Sequence, residues 1–226
     1  MAAPTAQVEA TAAADPAAAP LRMTFEEYLA FDYEHGLAEW VNGEVICFMS
    51  TTAPHQRITD FLLFVFKGFL RVRGLGRVIT APYAMRAVPG GNGREPDIMF
   101  VATANLARLG RTHLEGPADL IVEVISDDSV TRDRDDKFSG YQDAGVREYW
   151  IIDPRPNRRR ADFYVLNERG RFDPVPIPDD NRYRSTAWPG FWLDVEWLWQ
   201  EDPNELAALT EIVGAERLPV PPNLPD

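Results

Sequence analysis

The chain has 226 residues, a formal net charge of −12, one cysteine and three histidines. That length is enough for one well-buried domain, and the lone Cys47 excludes both an intrachain disulfide and a cysteine-based zinc centre, which fits a reducing, cytoplasmic setting. The acidity argues against tight non-specific binding to nucleic acid, and no apolar run approaches the roughly 18 residues of a membrane span, since FLLFVFKGFL is short and holds Lys67.

Residues 1–21 begin MAAPTAQVEATAAADPAAAP, with neither an amphipathic period nor the basic start and apolar core of a signal peptide, and are expected to form a disordered tail. In MTFEEYLAFD, Thr24 and Glu27 have capping-box spacing for a short helix. LAEWV and EVICFMS flank Asn42-Gly43, a strong hairpin signal. From Pro54, apolar residues Ile58, Phe61, Leu62, Val65, Phe66, Phe69 and Leu70 recur at helical spacing, and the helix should end near Gly74.

RVIT and YAMRAV read as strands, PGGNG as a turn and REPDIMFVA as a further strand, with 103–117 a loop holding one helical turn. ADLIVEVIS is apolar on both faces and reads as a fully buried central strand. SVTRDRDDKFSGYQDAG is a polar helix closing at Gly145, REYWIID a strand stopped by Pro154, and RRRADFYVLN the next strand. WPGFWLDVEWLW concentrates four of the six tryptophans, and LPVPPNLPD is Pro-rich and extended. The expected fold is α/β (α+β), with a mixed central sheet flanked by helices and an N-terminal helix and hairpin. The domain should run from 22 to 200, followed by a helix and Pro-rich tail over 201–226.

Within the buried strand, Glu123 falls between Ile121 and Ile125. An ionised carboxylate there costs several kcal/mol unless a cation or hydrogen-bond donors meet it. Asp97 opens the preceding long strand; if the two strands pair, the carboxylates converge, and with a backbone carbonyl they make the oxygen-rich set that Mg²⁺ or Mn²⁺ prefers. Taken singly, Asp97 is also a common strand-start residue, and Glu123 could pair with a buried arginine.

The chain has 21 arginines and two lysines, so Lys137 stands out as a compact ammonium where a guanidinium was not used. It shares a helical face with Asp133 and Tyr141; the ordinary alternative is an Asp133–Lys137 surface pair. Glu39 and Glu44 flank the Asn42-Gly43 turn, and either could add a ligand, although hairpin glutamates are usually solvated. His55, at the head of the long helix, is as readily a cap as a site residue. Arg158, Arg159 and Arg160 could face phosphate or simply line a solvated edge.

The acids are concentrated at the two ends of the chain. Residues 61–114 hold eight bases against two acids, and 131–160 eight against six. There is no phosphate loop, dinucleotide fingerprint or nucleophile elbow.

The order AEWVNGEVICFMS, PHQRI, EPDIMFV, DLIVEVISDDS, RDRDDKFSGYQDAGVREYWIIDP resembles the Uma-type family of restriction endonucleases, a branch of the PD-(D/E)XK nuclease superfamily, over residues 24–166. The resemblance implies a restriction-endonuclease-like core acting on nucleic acid, DNA before RNA, with Mg²⁺ or Mn²⁺. It places the PD aspartate on Asp97 and the core-strand acid on Glu123, with the carbonyl of Val124 as a third oxygen. The superfamily's usual lysine position falls on Ile125, and the cation matches Lys137 from the following helix instead. Glu39, Glu44, His55 and Tyr141 are additional candidates. Cutting both strands of a duplex takes two sites, which a homodimer would supply. Two other readings stay open: a catalytically degenerate binding or regulatory module, and a hydrolase using Asp97 and Glu123 as paired carboxylates on a sugar.

Overall fold

The computed structural model describes residues 21–31, 37–48, 52–126 and 132–217. The expected tail over 1–20 and the Pro-rich end from 218 lie outside the described residues, and so does the start of the expected polar helix at 129–131. The first described element, β1 (Leu21–Arg22), is a short strand beside the hairpin. Helix α1 (Phe25–Leu29) starts at a reciprocal capping box between Thr24 and Glu27. Asn42 and Gly43, both at positive φ, turn β2 (Leu37–Val41) into β3 (Glu44–Phe48).

Helix α2 (Ala53–Arg73) buries the apolar stripe that its spacing predicts and ends on left-handed Gly74. Strands β4 (Gly76–Thr80) and β5 (Ala84–Arg86) follow. The segment expected as one strand over REPDIMFVA is two. β6 (Gly93–Arg94) belongs to one sheet and β7 (Ile98–Ala102) to another, with Glu95-Pro96-Asp97 crossing between them. Pro96 lacks the N–H that a continuous ladder needs, so the chain changes sheets there. The expected loop 103–117 holds a 3₁₀ turn (Thr103–Arg108) and a three-residue strand β8 (His113–Glu115), too short to show a periodicity.

Strand β9 (Leu120–Val124) is buried at every position. A π-type turn (Arg132–Asp136) leads into α3 (Lys137–Ala144), closed by left-handed Gly145. Then come β10 (Glu148–Asp153), β11 (Arg160–Leu166), β12 (Phe172–Val175), the small hairpin β13 (Arg182–Arg184) and β14 (Trp192–Asp194), a 3₁₀ turn (Val195–Trp199) and α4 (Glu205–Val213).

The architecture is mixed α/β with two six-stranded mixed sheets, where a single central sheet was expected. The first is ordered β1-β3-β2-β6-β5-β8 and the second β12-β11-β10-β9-β7-β4. In the second, β9 runs parallel to β10 and antiparallel to β7. Leu120, Val122 and Val124 face the larger core with α2, Trp150, Trp188 and Phe191, whereas Ile121 and Ile125 face a second core with Tyr141, Val146 and Tyr149. Glu123 therefore does emerge on an apolar face.

The tryptophan-rich segment closes the larger core through Trp188, Phe191, Leu193 and Leu198. Ala208, Leu209, Ile212 and Val213 of α4 join the same core, so packing continues past residue 200 to at least Val213. Glu148, fully buried on β10, fastens this C-terminal segment. Its Oε1 accepts from Trp150 Nε1 (2.7 Å) and the Tyr183 hydroxyl (2.8 Å); its Oε2 accepts from Ser185 Oγ, the Thr186 hydroxyl and the backbone N–H groups of Thr186 and Ala187. Among the described residues, no helix is long and apolar enough to cross a membrane.

Candidate active site

Strand pairing sets the first contact. Asp97 stands immediately before β7 and reaches the end of β9, where its Oδ2 accepts the N–H of Val124 at 2.7 Å. The same oxygen lies 3.1 Å from Nε2 of His55, in the first turn of α2, whose Thr52 cap accepts the His55 N–H. His55 is only 5 % exposed, and its Nδ1 has no hydrogen-bond partner. An ionised carboxylate can only accept, so Nε2 is the donor in this contact. Among the described residues Asp97 is thus held through one oxygen, Oδ2.

Glu123 is 2 % exposed and meets both kinds of partner that a buried carboxylate requires. The Tyr141 hydroxyl donates to its Oε1 at 2.8 Å, and Lys137 Nζ lies 2.9 Å from Oε2. Lys137 and Tyr141 project from successive turns of α3, and Lys137 is itself 4 % exposed, so it is not a surface-pair lysine. The side chain of Asp133 lies outside the described residues. The chain's other lysine, Lys67, is exposed on α2.

Lys137 Nζ also sits 3.3 Å from Oε1 of Glu39 on β2, whose Oε2 faces Arg94 Nη1 on β6 at 3.2 Å. Two buried acids and two buried cations thus alternate across the junction of the two sheets, and their formal charges cancel. Burial, then Glu123 and Glu39, drive the Tyr141 hydroxyl well above the usual phenol range, so it remains a donor.

Glu44 is not brought to this cluster. It lies beside the hairpin turn, half-exposed and paired with Arg22 at 2.6 Å. Two residues that the sequence reading did not single out do belong to it. One is Arg94; the other is Glu95, whose Oε1 lies 2.9 Å from the Tyr28 hydroxyl and whose Oε2 is 3.4 Å from the Ala38 amide. Burial raises the Glu95 carboxyl above its ordinary range and nearby Glu39 adds to this, against the opposing pull of Tyr28, the Ala38 N–H and Lys137. The available signal was adjacency: both residues directly precede Pro96-Asp97.

For a divalent cation, the donor set available is Asp97, Glu123 and the Val124 carbonyl, all oxygen. That suits Mg²⁺ or Mn²⁺, which keep several waters and take one or two carboxylates. Among the described residues, no three His, Cys, Asp or Glu side chains gather as a ready-made metal cage. The fit therefore rests on two carboxylates and a carbonyl, with Oδ1 of Asp97 unpaired among the described residues and Glu123 shared with Lys137 and Tyr141.

The sequence profile of the Uma2 family, described as "Putative restriction endonuclease", matches residues 25–196. That span includes every residue of the cluster. No curated protein sequence matches the chain. Among solved structures, the chain is similar to the crystal structure of "a putative nuclease belonging to DUF820 from Anabaena variabilis ATCC 29413". The two are 15 % identical with a TM-score of 0.56, and the likeness covers 78 % of this chain and 97 % of that one. At that identity the likeness speaks for the fold. The family profile spans most of the chain, and the protein belongs to the Uma2 family.

Proposed function

We propose that the protein is a divalent-metal-dependent endonuclease that hydrolyses phosphodiester bonds of nucleic acid, DNA in preference to RNA. The observation that carries this is the approach of Lys137 from α3 to Glu123 at 2.9 Å, beside Asp97 on the neighbouring strand. A cation beside two acids on neighbouring segments supports a PD-(D/E)XK reading, with the cation supplied from the helix because Ile125 stands where a strand lysine would. The family description and the likeness to a nuclease fold support the same reading, and the preference for DNA rests on that description.

Asp97, Glu123 and the Val124 carbonyl would hold Mg²⁺ or Mn²⁺, which when bound polarises the scissile phosphate and lowers the pKa of a water. The side chains do the rest. His55 and the Val124 N–H hold Asp97 in one rotamer. Tyr141 fixes Glu123, and Glu39 holds the Lys137 ammonium at the cluster. The Lys137 ammonium orients the attacking water or stabilises charge developing on the phosphoryl oxygens. Cleavage of both strands of a duplex would use two copies of the site in a homodimer.

The direct test incubates the purified protein with labelled duplex DNA, single-stranded DNA and RNA, in Mg²⁺, in Mn²⁺ and in EDTA. Metal-dependent cleavage of the DNA substrates supports the proposal, and cleavage that persists in EDTA contradicts it. One observation favours a second reading, a nuclease fold serving as a binding module. Both oxygens of Glu123 already have partners, so this carboxylate is satisfied without metal. Nucleic-acid binding with no cleavage in any metal would favour that reading.

A further inference from the structure

Both strands that flank the cluster point toward the turn 154–159. β9 and β10 run parallel with Val124 beside Ile152, so they end together. Asp97 holds the Val124 N–H at that same end, and the chain leaves β10 there through Pro154-Arg155-Pro156-Asn157-Arg158-Arg159 before returning as β11. Left-handed Asn157 and a hydrogen bond from the Arg158 N–H to the Arg155 carbonyl (3.0 Å) shape the turn. Its base is fastened. Arg155 forks onto Asp153 with two bonds of 2.8 Å, and Arg160 pairs with Asp162. Arg134, one helical turn before Lys137, spans Asp162 at 2.8 Å and Asp153 at 3.8 Å, tying the turn to the helix that bears Lys137.

Asp153 and Asp162 thus occupy Arg134, Arg155 and Arg160. Arg158 and Arg159, at the tip, are exposed and form no ion pair among the described residues. Exposed Asp135 and Asp136 lie on the turn that carries Arg134. In a chain of net charge −12, two guanidiniums with no ion pair among the described residues stand at the end of the sheet where Asp97 holds the Val124 N–H next to Glu123. A polyanion must approach those carboxylates against their charge, and paired guanidiniums suit the bidentate geometry of phosphate.

Resting on the nuclease reading, we propose that Arg158 and Arg159 form an arm that grips backbone phosphates of the nucleic acid beside the scissile bond. These contacts set position rather than sequence. The experiment measures binding of a short duplex DNA in EDTA across a salt series, using the wild type, an Arg158→Ala/Arg159→Ala variant and an Arg169→Ala/Arg171→Ala variant. The last pair is exposed on the β11–β12 turn, at the opposite end of the same sheet, and removes the same charge.

The expected result is an affinity loss of about tenfold or more for the first variant, with a log–log salt slope shallower by about 2, near 0.9 per phosphate contact. The second variant keeps the wild-type slope. Equal losses in both variants would mean that net charge alone is at work and would overturn the arm. Tight wild-type binding left unchanged in the first variant would overturn the arm while leaving the nuclease reading intact. No binding by the wild type would overturn the arm, while the nuclease reading stands or falls by the cleavage assay.

Discussion

Replacing Lys137 by Met keeps the stem of the side chain and deletes its ammonium, which isolates one effect. Glu123 then loses its ammonium partner and keeps the Tyr141 hydroxyl, whereas Glu39 keeps Arg94. At 2 % exposure, Glu123 cannot recruit bulk water, and the least costly response is to take up a proton on folding. Starting from an ordinary pKa of about 4.3, protonation at pH 7 costs about 4 kcal/mol at 1.36 kcal/mol per unit, which caps the loss. That agrees with the 3–5 kcal/mol typical of breaking a buried pair. Because the cost is that of a proton, it should fall by about 1.4 kcal/mol for each pH unit, to about 1 kcal/mol at pH 5. Urea unfolding of both proteins in EDTA at pH 5, 6, 7 and 8 reads this directly. A loss below about 1 kcal/mol at pH 7, or one independent of pH, would refute the pairing of Lys137 with buried Glu123.

Two further changes probe other parts of the account. In Glu148→Gln, the side-chain amide is best turned toward Trp150 Nε1 and Tyr183, where only the hydroxyl can reverse its role, so the indole N–H is orphaned and the remaining bonds lose their charge. A loss of about 3 kcal/mol is expected, and a loss under 1 kcal/mol in urea unfolding would count against the clamp. For Glu95, whose carboxyl is raised in the folded protein, the stability it contributes is complete below its unfolded pKa and is lost as pH rises through the folded value. Glu95→Gln should therefore melt higher than wild type at pH 8 in EDTA and show no advantage near pH 4; the opposite trend would contradict the assignment.

Much of the candidate site is local enough to read in the chain. The alternation around Glu123 requires a strand buried on both faces, and a carboxylate there requires partners. Asp97 and Glu123 belong to β7 and β9 segments that pair, and Lys137 is conspicuous because arginine serves almost everywhere else. What could not be read depends on how distant segments meet. Glu39 and Arg94 enter the cluster only because the chain changes sheets at Pro96 and folds the first sheet against the end of the second.

Nothing local separates Glu39 from Glu44. They sit on opposite arms of one hairpin, and only tertiary packing gives Lys137 to the first and Arg22 to the second. Glu148 reads as one more strand residue, because its partners Tyr183, Ser185, Thr186 and Ala187 lie 35 to 39 positions downstream. Helix α4 reads as a tail because its burial against α2 depends on the close approach of Leu209 to Gly68, where a Cβ would come within 2.3 Å of the leucine.

The central claim is that Asp97 and Glu123 mark a metal-dependent phosphodiesterase centre. Its most direct test is nicking of supercoiled plasmid by the wild type and by Asp97→Ala, purified identically, in Mg²⁺ or Mn²⁺ and in EDTA. The wild type should nick the plasmid with metal and not in EDTA, and the variant should not nick it at all. Nicking that survives in Asp97→Ala would contradict it.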